Sequence, residues 1–257
     1  MSKLMQLRAG WLGLLFVLVA GVAVYVGTRP IRLAVHRTEP NTTVQPELPE
    51  SENAGQVAPD QTFSLTEPDS PWVIVNKQHL LPSSYAPNDL TAPDVKLRES
   101  SDTPNMQLRQ EAAGQLEKLF AAASQAGHSL LLASGYRSYA TQRQTYNNYV
   151  AQDGQAAADR YSAKPGASEH QAGWAADLAT TDWKCYLEIC FGQTAAGQWL
   201  DAHADEFGFI IRYQDGKEAI TGYQYEPWHL RYVGTDLASK VTAAGQVLEE
   251  YFHLSTD

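Results

Sequence analysis

Cysteine is almost absent from this chain. Cys185 and Cys190 are the only two, in the segment Cys-Tyr-Leu-Glu-Ile-Cys. A pair so placed cannot complete a four-cysteine zinc site, and its spacing is longer than that of the common zinc pairs. A short disulfide-closed loop fits an exported protein; two free buried thiols are the other reading. Positive charge is also scarce, with 19 Lys and Arg against 29 Asp and Glu and a net charge of −10. Residues 1–37 hold five of the basic residues and no acidic ones. Removing that +5 leaves −15 on residues 38–257. So acidic a body excludes a nucleic-acid binder, which needs clustered Lys and Arg on phosphate. The chain has no glycine-rich phosphate loop, no Gly-x-Ser-x-Gly elbow and no His-Glu-x-x-His. Nucleotide binding, serine hydrolysis and the common zinc-helix chemistry therefore lack their residues.

Residues 11–26 form an uncharged apolar run with Lys3 and Arg8 before it and Arg29, Arg32 and Arg37 after it. Extended to its flanking glycines, the run approaches the ~20 residues of a spanning helix. We read residues 1–37 as a membrane anchor, or as a signal segment if it is cleaved. Basic flanks on both sides leave its orientation open. Residues 38–70 are rich in Pro, Glu, Gln, Thr, Asn and Ser and poor in large apolar residues, as in a disordered extracellular linker. Residues 71–257 are then the folded domain, starting with a β-like run at 71–75. Helical patterning covers residues 105–125, 138–149, 194–206 and 235–251. Strands are expected at 129–133, 174–179, 209–213 and 229–233. This irregular alternation is an α+β pattern rather than a doubly wound sheet.

Three segments carry chemistry-bearing residues. Ser168-Glu169-His170-Gln171-Ala172 precedes a strand in which Ala175, Asp177 and Ala179 share one face. Small neighbours leave room for an ion at Asp177, and Gly173 lets His170 turn back to it. Glu226-Pro227-Trp228-His229 supplies a second imidazole, and the proline keeps Glu226 out of a helix. His170, Asp177 and His229 could hold one zinc ion with a position left open, as in catalytic sites. Glu226 stands near enough to serve as a base without being a ligand. Arg137, in Ser134-Gly135-Tyr136-Arg137-Ser138, follows a buried strand and could bind an oxyanion. Taken singly, each residue has a plainer reading: a turn-capping Asp177, an exposed His170, a surface Glu226, a core His229 and an ion-paired Arg137. His36, His79, His128, His203 and His253 show no partner at ligand spacing.

Together, Ser-Gly-Tyr-Arg-Ser at 134–138, Ser-Glu-His-Gln-x-Gly-x-Ala-x-Asp at 168–177 and Glu-Pro-Trp-His-x-Arg-Tyr-Val-Gly at 226–234 resemble the zinc D-alanyl-D-alanine carboxypeptidase family. That family includes vancomycin-resistance D,D-carboxypeptidases and dipeptidases and wall L,D-carboxypeptidases. The resemblance implies an α+β domain with a small antiparallel sheet, flanking helices and a single zinc site. It implies that His170, Asp177 and His229 bind Zn2+, that Glu226 is the general acid/base that activates water, and that Arg137 stabilises the oxyanion. It further implies that Ser168 helps hold the substrate's terminal carboxylate. The implied substrate is the peptidoglycan stem peptide, cut at its C-terminal D-alanine. D,D cleavage is the first reading, with L,D cleavage of tetrapeptide stems or a non-catalytic wall-binding protein as alternatives. The expected setting is a monomer on the outer side of the cell membrane, or secreted, without nucleic-acid partners.

Overall fold

The computed structural model describes residues 63–254. The apolar run at residues 11–26, and with it the expected anchor, lies outside them. Among the described residues no helix is long and apolar enough to cross a membrane.

The centre is a four-stranded antiparallel sheet in the order β3-β4-β6-β5. Its strands are β3 (Leu130–Ser134), β4 (Ala175–Thr180), β6 (His229–Tyr232) and β5 (Phe209–Ile211). Alternation sorts the side chains of these strands onto two faces. Leu130, Leu132, Ala176, Leu178, Leu230, Tyr232, Phe209 and Ile211 join one apolar cluster with Ala112, Leu116 and Leu119 of helix α1 (Gln110–Gln125) and Leu200 of helix α4 (Ala195–His203). Leucines such as these, buried in full, contribute roughly 1.5–3 kcal/mol each. The opposite face carries Asp177, His229 and Arg231, so the same periodicity that builds the core delivers the polar residues to the other side. In the chain, α2 (Tyr139–Asp153) and α3 (Gln155–Tyr161), the latter unanticipated in the sequence, fall between β3 and β4.

The α+β architecture is as expected, with several local differences. The helix expected from residue 105 starts at Gln110. Before it come a 3-10 turn, Pro104–Met106, and strand β2 (Leu108–Arg109), which pairs with β1 (Leu90–Thr91). Met106, at the end of the 3-10 turn, and Leu108, in β2, are both buried, and a spacing of two is that of an extended chain rather than of a helix face. Residues 71–75 form no strand. Val73, Ile74 and Val75 are buried in succession, and the carbonyls of Pro71 and Val73 instead accept from Arg231 Nη2 at 2.8 Å each. The expected final helix is broken at Gly245, whose φ of 62° is left-handed, into α6 (Thr235–Ala244) and α7 (Leu248–Tyr251). Residues 63–70, assigned to the linker, pack on the body at their apolar positions: Phe63 meets Trp72 edge-on at 5.4 Å, and Leu65 O accepts from Ile74 N.

Gly208 lets the chain turn from the 3-10 segment Ala204–Phe207 into β5. Its φ is +82°, and a Cβ there would lie 2.7 Å from Tyr232 Cε2 and 3.0 Å from the Gly234 carbonyl carbon. Gly208→Ala should therefore lower stability by about 1–3 kcal/mol, seen as an earlier urea midpoint at unchanged slope.

Candidate active site

Register assembles the site. Ser134, Asp177 and His229 stand opposite one another across β3, β4 and β6. In β3 a bulge between Leu132 and Ser134 brings Ser134, not Ala133, level with Asp177. His170 arrives from a 3-10 turn, Glu169–Ala172, that ends at Gly173 with φ 75°. A side chain on Gly173 would meet Arg109 Cγ at 2.9 Å, so glycine is required there both for conformation and for space. Ligand atoms of His170, Asp177 and His229 lie within 4.8 Å of one another, and all three residues are buried. His170 Nε2 is 3.2 Å from Asp177 Oδ2, and His229 Nδ1 is 2.9 Å from Asp177 Oδ1. The two imidazoles meet edge-on at 5.0 Å.

The other predicted residues surround this triad. Glu226 is buried, with Oε2 3.9 Å from His229 Nδ1, and it is outside the ligand group. Its N–H donates to Tyr213 O, and its carbonyl accepts from His229 N; the tight turn through Pro227 holds it beside the site. Arg137 Nη2 is 4.0 Å from Asp177 Oδ2. The guanidinium is aimed by Ser134 Oγ at 3.0 Å and Gln142 Oε1 at 2.8 Å. Gln142 is itself pinned through Nε2 to Ala163 O at 2.7 Å. Ser168 is buried and, with these residues, lines a cavity of about 220 Å³ whose wall also includes Tyr213, Tyr223, Trp228 and Leu187. Leu187 sits in the loop closed by a Cys185–Cys190 disulfide.

Burial sets the charge states. For Asp177, desolvation is outweighed by the two histidines, and its carboxyl is held well below the usual range. His170 is pushed down by burial. In His229 the hydrogen bonds to Asp177 and Glu169 overcome burial and raise it to about 10. Glu226 has no such partner, and burial pushes it up to about 8. Among the remaining histidines, His203 pairs with Glu206 on the surface, His79 bonds Asn76 and His128 packs on Trp199, all away from the cavity.

A family model described as VanY, D-alanyl-D-alanine carboxypeptidase, matches residues 105–235. This chain belongs to that family. Residues 105–235 include all three motifs and every strand of the four-stranded sheet. The protein YodJ of Bacillus subtilis (strain 168) is 42% identical over 193 residues, covering 75% of this chain and 71% of its own. Among solved structures, the LdcB LD-carboxypeptidase matches with a TM-score of 0.69 at 42% identity, covering 73% of this chain and 88% of that one. A vancomycin-resistance D,D-pentapeptidase VanY, solved as a mutant with Zn(II), matches with a TM-score of 0.57 at 34% identity, covering 70% and 97%.

Two participants in the VanY-family site of this chain escaped the sequence reading. One is Gln142, which aims Arg137. The other is Glu169, whose Oε2 lies 3.4 Å from His229 Nε2 while Oε1 accepts from Arg212 and Arg231. Arg231, two residues after His229 in β6, shares its face, and a charge at a buried position of a strand signals a partner. Nothing in the spacing says that the partner is Glu169.

His229 titrates in the metal-free protein far above its ordinary 6.5. Its contribution to folding is therefore complete below pH about 6.5 and is lost as pH rises through about 10. A divalent ion held by His170, Asp177 and His229 would have to displace that proton, so affinity for it should rise with pH across this window. Titration calorimetry at pH 7 in buffers of differing ionisation enthalpy should show roughly one proton or more released per ion bound. Uptake without proton release would contradict the charge state assigned to His229.

Proposed function

We propose that this chain is a zinc-dependent carboxypeptidase that removes the C-terminal D-alanine from peptidoglycan stem peptides. The observation that carries this reading is the buried triad of His170, Asp177 and His229 with Glu226 and Arg137 facing it across one cavity. Two imidazoles and a carboxylate form the N/O donor set of a three-ligand catalytic zinc site. Both rings also have their second nitrogen engaged, His170 Nδ1 by Gly135 O at 2.7 Å and His229 Nε2 by Glu169, as metal-ligating histidines do. Zinc bound there supplies Lewis acidity, which polarises a carbonyl and acidifies water.

The chain's own residues do the rest. Glu226 takes the proton from the attacking water and passes it to the departing amine of D-alanine. A carboxyl pushed up to about 8 suits both directions of that transfer near neutral pH. Arg137, held by Ser134 and Gln142, offers its guanidinium N–H groups to the oxyanion that develops on the scissile carbonyl. Ser168, at the mouth of the 3-10 turn, takes the terminal carboxylate, which makes the enzyme an exopeptidase.

Of the two bonds within reach, the L,D bond of a tetrapeptide stem is favoured by the higher identity and TM-score of the LdcB likeness. The D,D bond of a pentapeptide, which the family description and the sequence motifs suggest, is the second reading. A stem-peptide substrate lies outside the cytoplasm. That setting agrees with the apolar run at residues 11–26 acting as anchor or cleaved signal, the linker after it and the Cys185–Cys190 disulfide. We take the working unit to be a monomer, because every residue invoked comes from one chain.

Mass spectrometry of tetrapeptide and pentapeptide muropeptides after incubation should show loss of one alanine from the tetrapeptide. Loss from the pentapeptide alone would select the D,D reading, and loss from neither would sink the proposal. Chelation should abolish release, and added zinc should restore it. Glu226→Ala should cut release by roughly 10²–10⁴-fold while zinc stays bound, and Arg137→Ala should lower kcat by about 10²–10³-fold.

A further inference from the structure

Glu169 sits between Ser168 and His170 and has no part in the chemistry above, yet its side chain is wholly buried. A buried carboxylate costs several kcal/mol unless it is paired and its oxygens are hydrogen-bonded. Here Oε1 accepts from Arg212 Nε at 2.7 Å and from Arg231 Nη1 at 2.8 Å. Arg212 in turn forms a two-pronged pair with Glu249 of α7, at 2.9 and 2.6 Å, and Asn76 Nδ2 supports the same carboxylate at 3.2 Å. Two carboxylates and two guanidiniums balance, so this cluster is electrically complete without His229. The second oxygen of Glu169, Oε2, is left facing His229 Nε2 at 3.4 Å.

The two candidate ligand histidines use opposite ring nitrogens. His170 donates Nδ1–H to Gly135 O and presents Nε2 to Asp177. His229 turns Nδ1 to Asp177 and Nε2 to Glu169, so a metal ion held beside Asp177 would take the Nδ1 lone pair and leave the single proton on Nε2. A neutral imidazole has a single N–H, and an acceptor at one nitrogen leaves the lone pair of the other free. For His170 that acceptor is the backbone carbonyl of Gly135, which involves no side chain. For His229 it is a side chain.

We propose that Glu169 is a positioning residue: its carboxylate accepts Nε2–H of His229, fixes the tautomer that frees Nδ1 for the metal, and ties that ring to Arg212 and Glu249. The inference rests on the reading of the triad as a zinc site.

The test compares zinc affinity, by chelator competition on the full chain, for wild type, Glu169→Gln and Glu249→Gln. Each variant removes one negative charge from the same buried cluster, and only the first touches His229. Glu169→Gln should bind zinc about 10–100-fold more weakly, while Glu249→Gln stays close to wild type. Equal losses in both variants, or unchanged affinity in Glu169→Gln, would overturn the positioning role. Should Glu169→Gln fail to fold, NMR of the ring nitrogens in the zinc-loaded, 15N-histidine-labelled wild type decides. A proton on Nε2 of His229 supports the inference, and a proton on Nδ1 overturns it. Wild type that takes up no zinc would instead sink the zinc reading itself.

Discussion

The pairing of β4 with β6 is the constraint on which the site depends. Asp177 and His229, 52 residues apart in the chain, are cross-strand neighbours on one face. On the other face of the same strands, Ala176, Leu178 and Leu230 are buried in the main core. A slip of one residue would exchange these sets, sending an aspartate and a histidine into apolar packing and leucines into the cavity. Core burial and site geometry are therefore specified by the same register. The bulge in β3 extends the alignment to Ser134, and Arg137 three residues later inherits its position from it.

Three carboxylates lie within this small volume, and their surroundings give each a different character. Asp177 sits between two imidazoles and Glu169 between two guanidiniums, so both stay ionised despite complete burial. Glu226 is nearly as buried but has no close, hydrogen-bonded cation, and it is pushed up to about 8. The chemical group is the same in all three; desolvation and the nearest positive charge decide which carboxylates stay ionised and which one is pushed up. The arginines that hold Glu169 are equally dependent on their partners. Arg212 and Arg231 have no exposed surface, and each has its guanidinium committed to carboxylates or backbone carbonyls.

Where a residue's role follows from local pattern, it was legible in the sequence. Alternation around Asp177 and around His229, a proline next to Glu226 and an arginine just after a buried strand all have local physical meaning. Misreadings arose where a helix was extended too far back, as over residues 105–109, where Met106 and Leu108 are spaced by two as in an extended chain. They also arose where a buried run took its backbone partner from a side chain, as residues 71–75 do from Arg231. The helix expected over residues 235–251 also breaks, at Gly245, where a positive φ interrupts it. Yet that break is what turns Glu249 inward to Arg212.

By itself, the sequence determined the donor types, the motif order and the strand faces, because these depend on neighbours within a few positions. From them follow an α+β domain, a histidine-aspartate-histidine set and a nearby spare glutamate. The tertiary structure alone decided which ring nitrogen each histidine presents, why Glu226 has a raised pKa, and that Glu169 reaches His229. Each of these depends on a distance between residues remote in the chain, and in a buried site a hydrogen bond or a desolvated charge changes character over about an ångström.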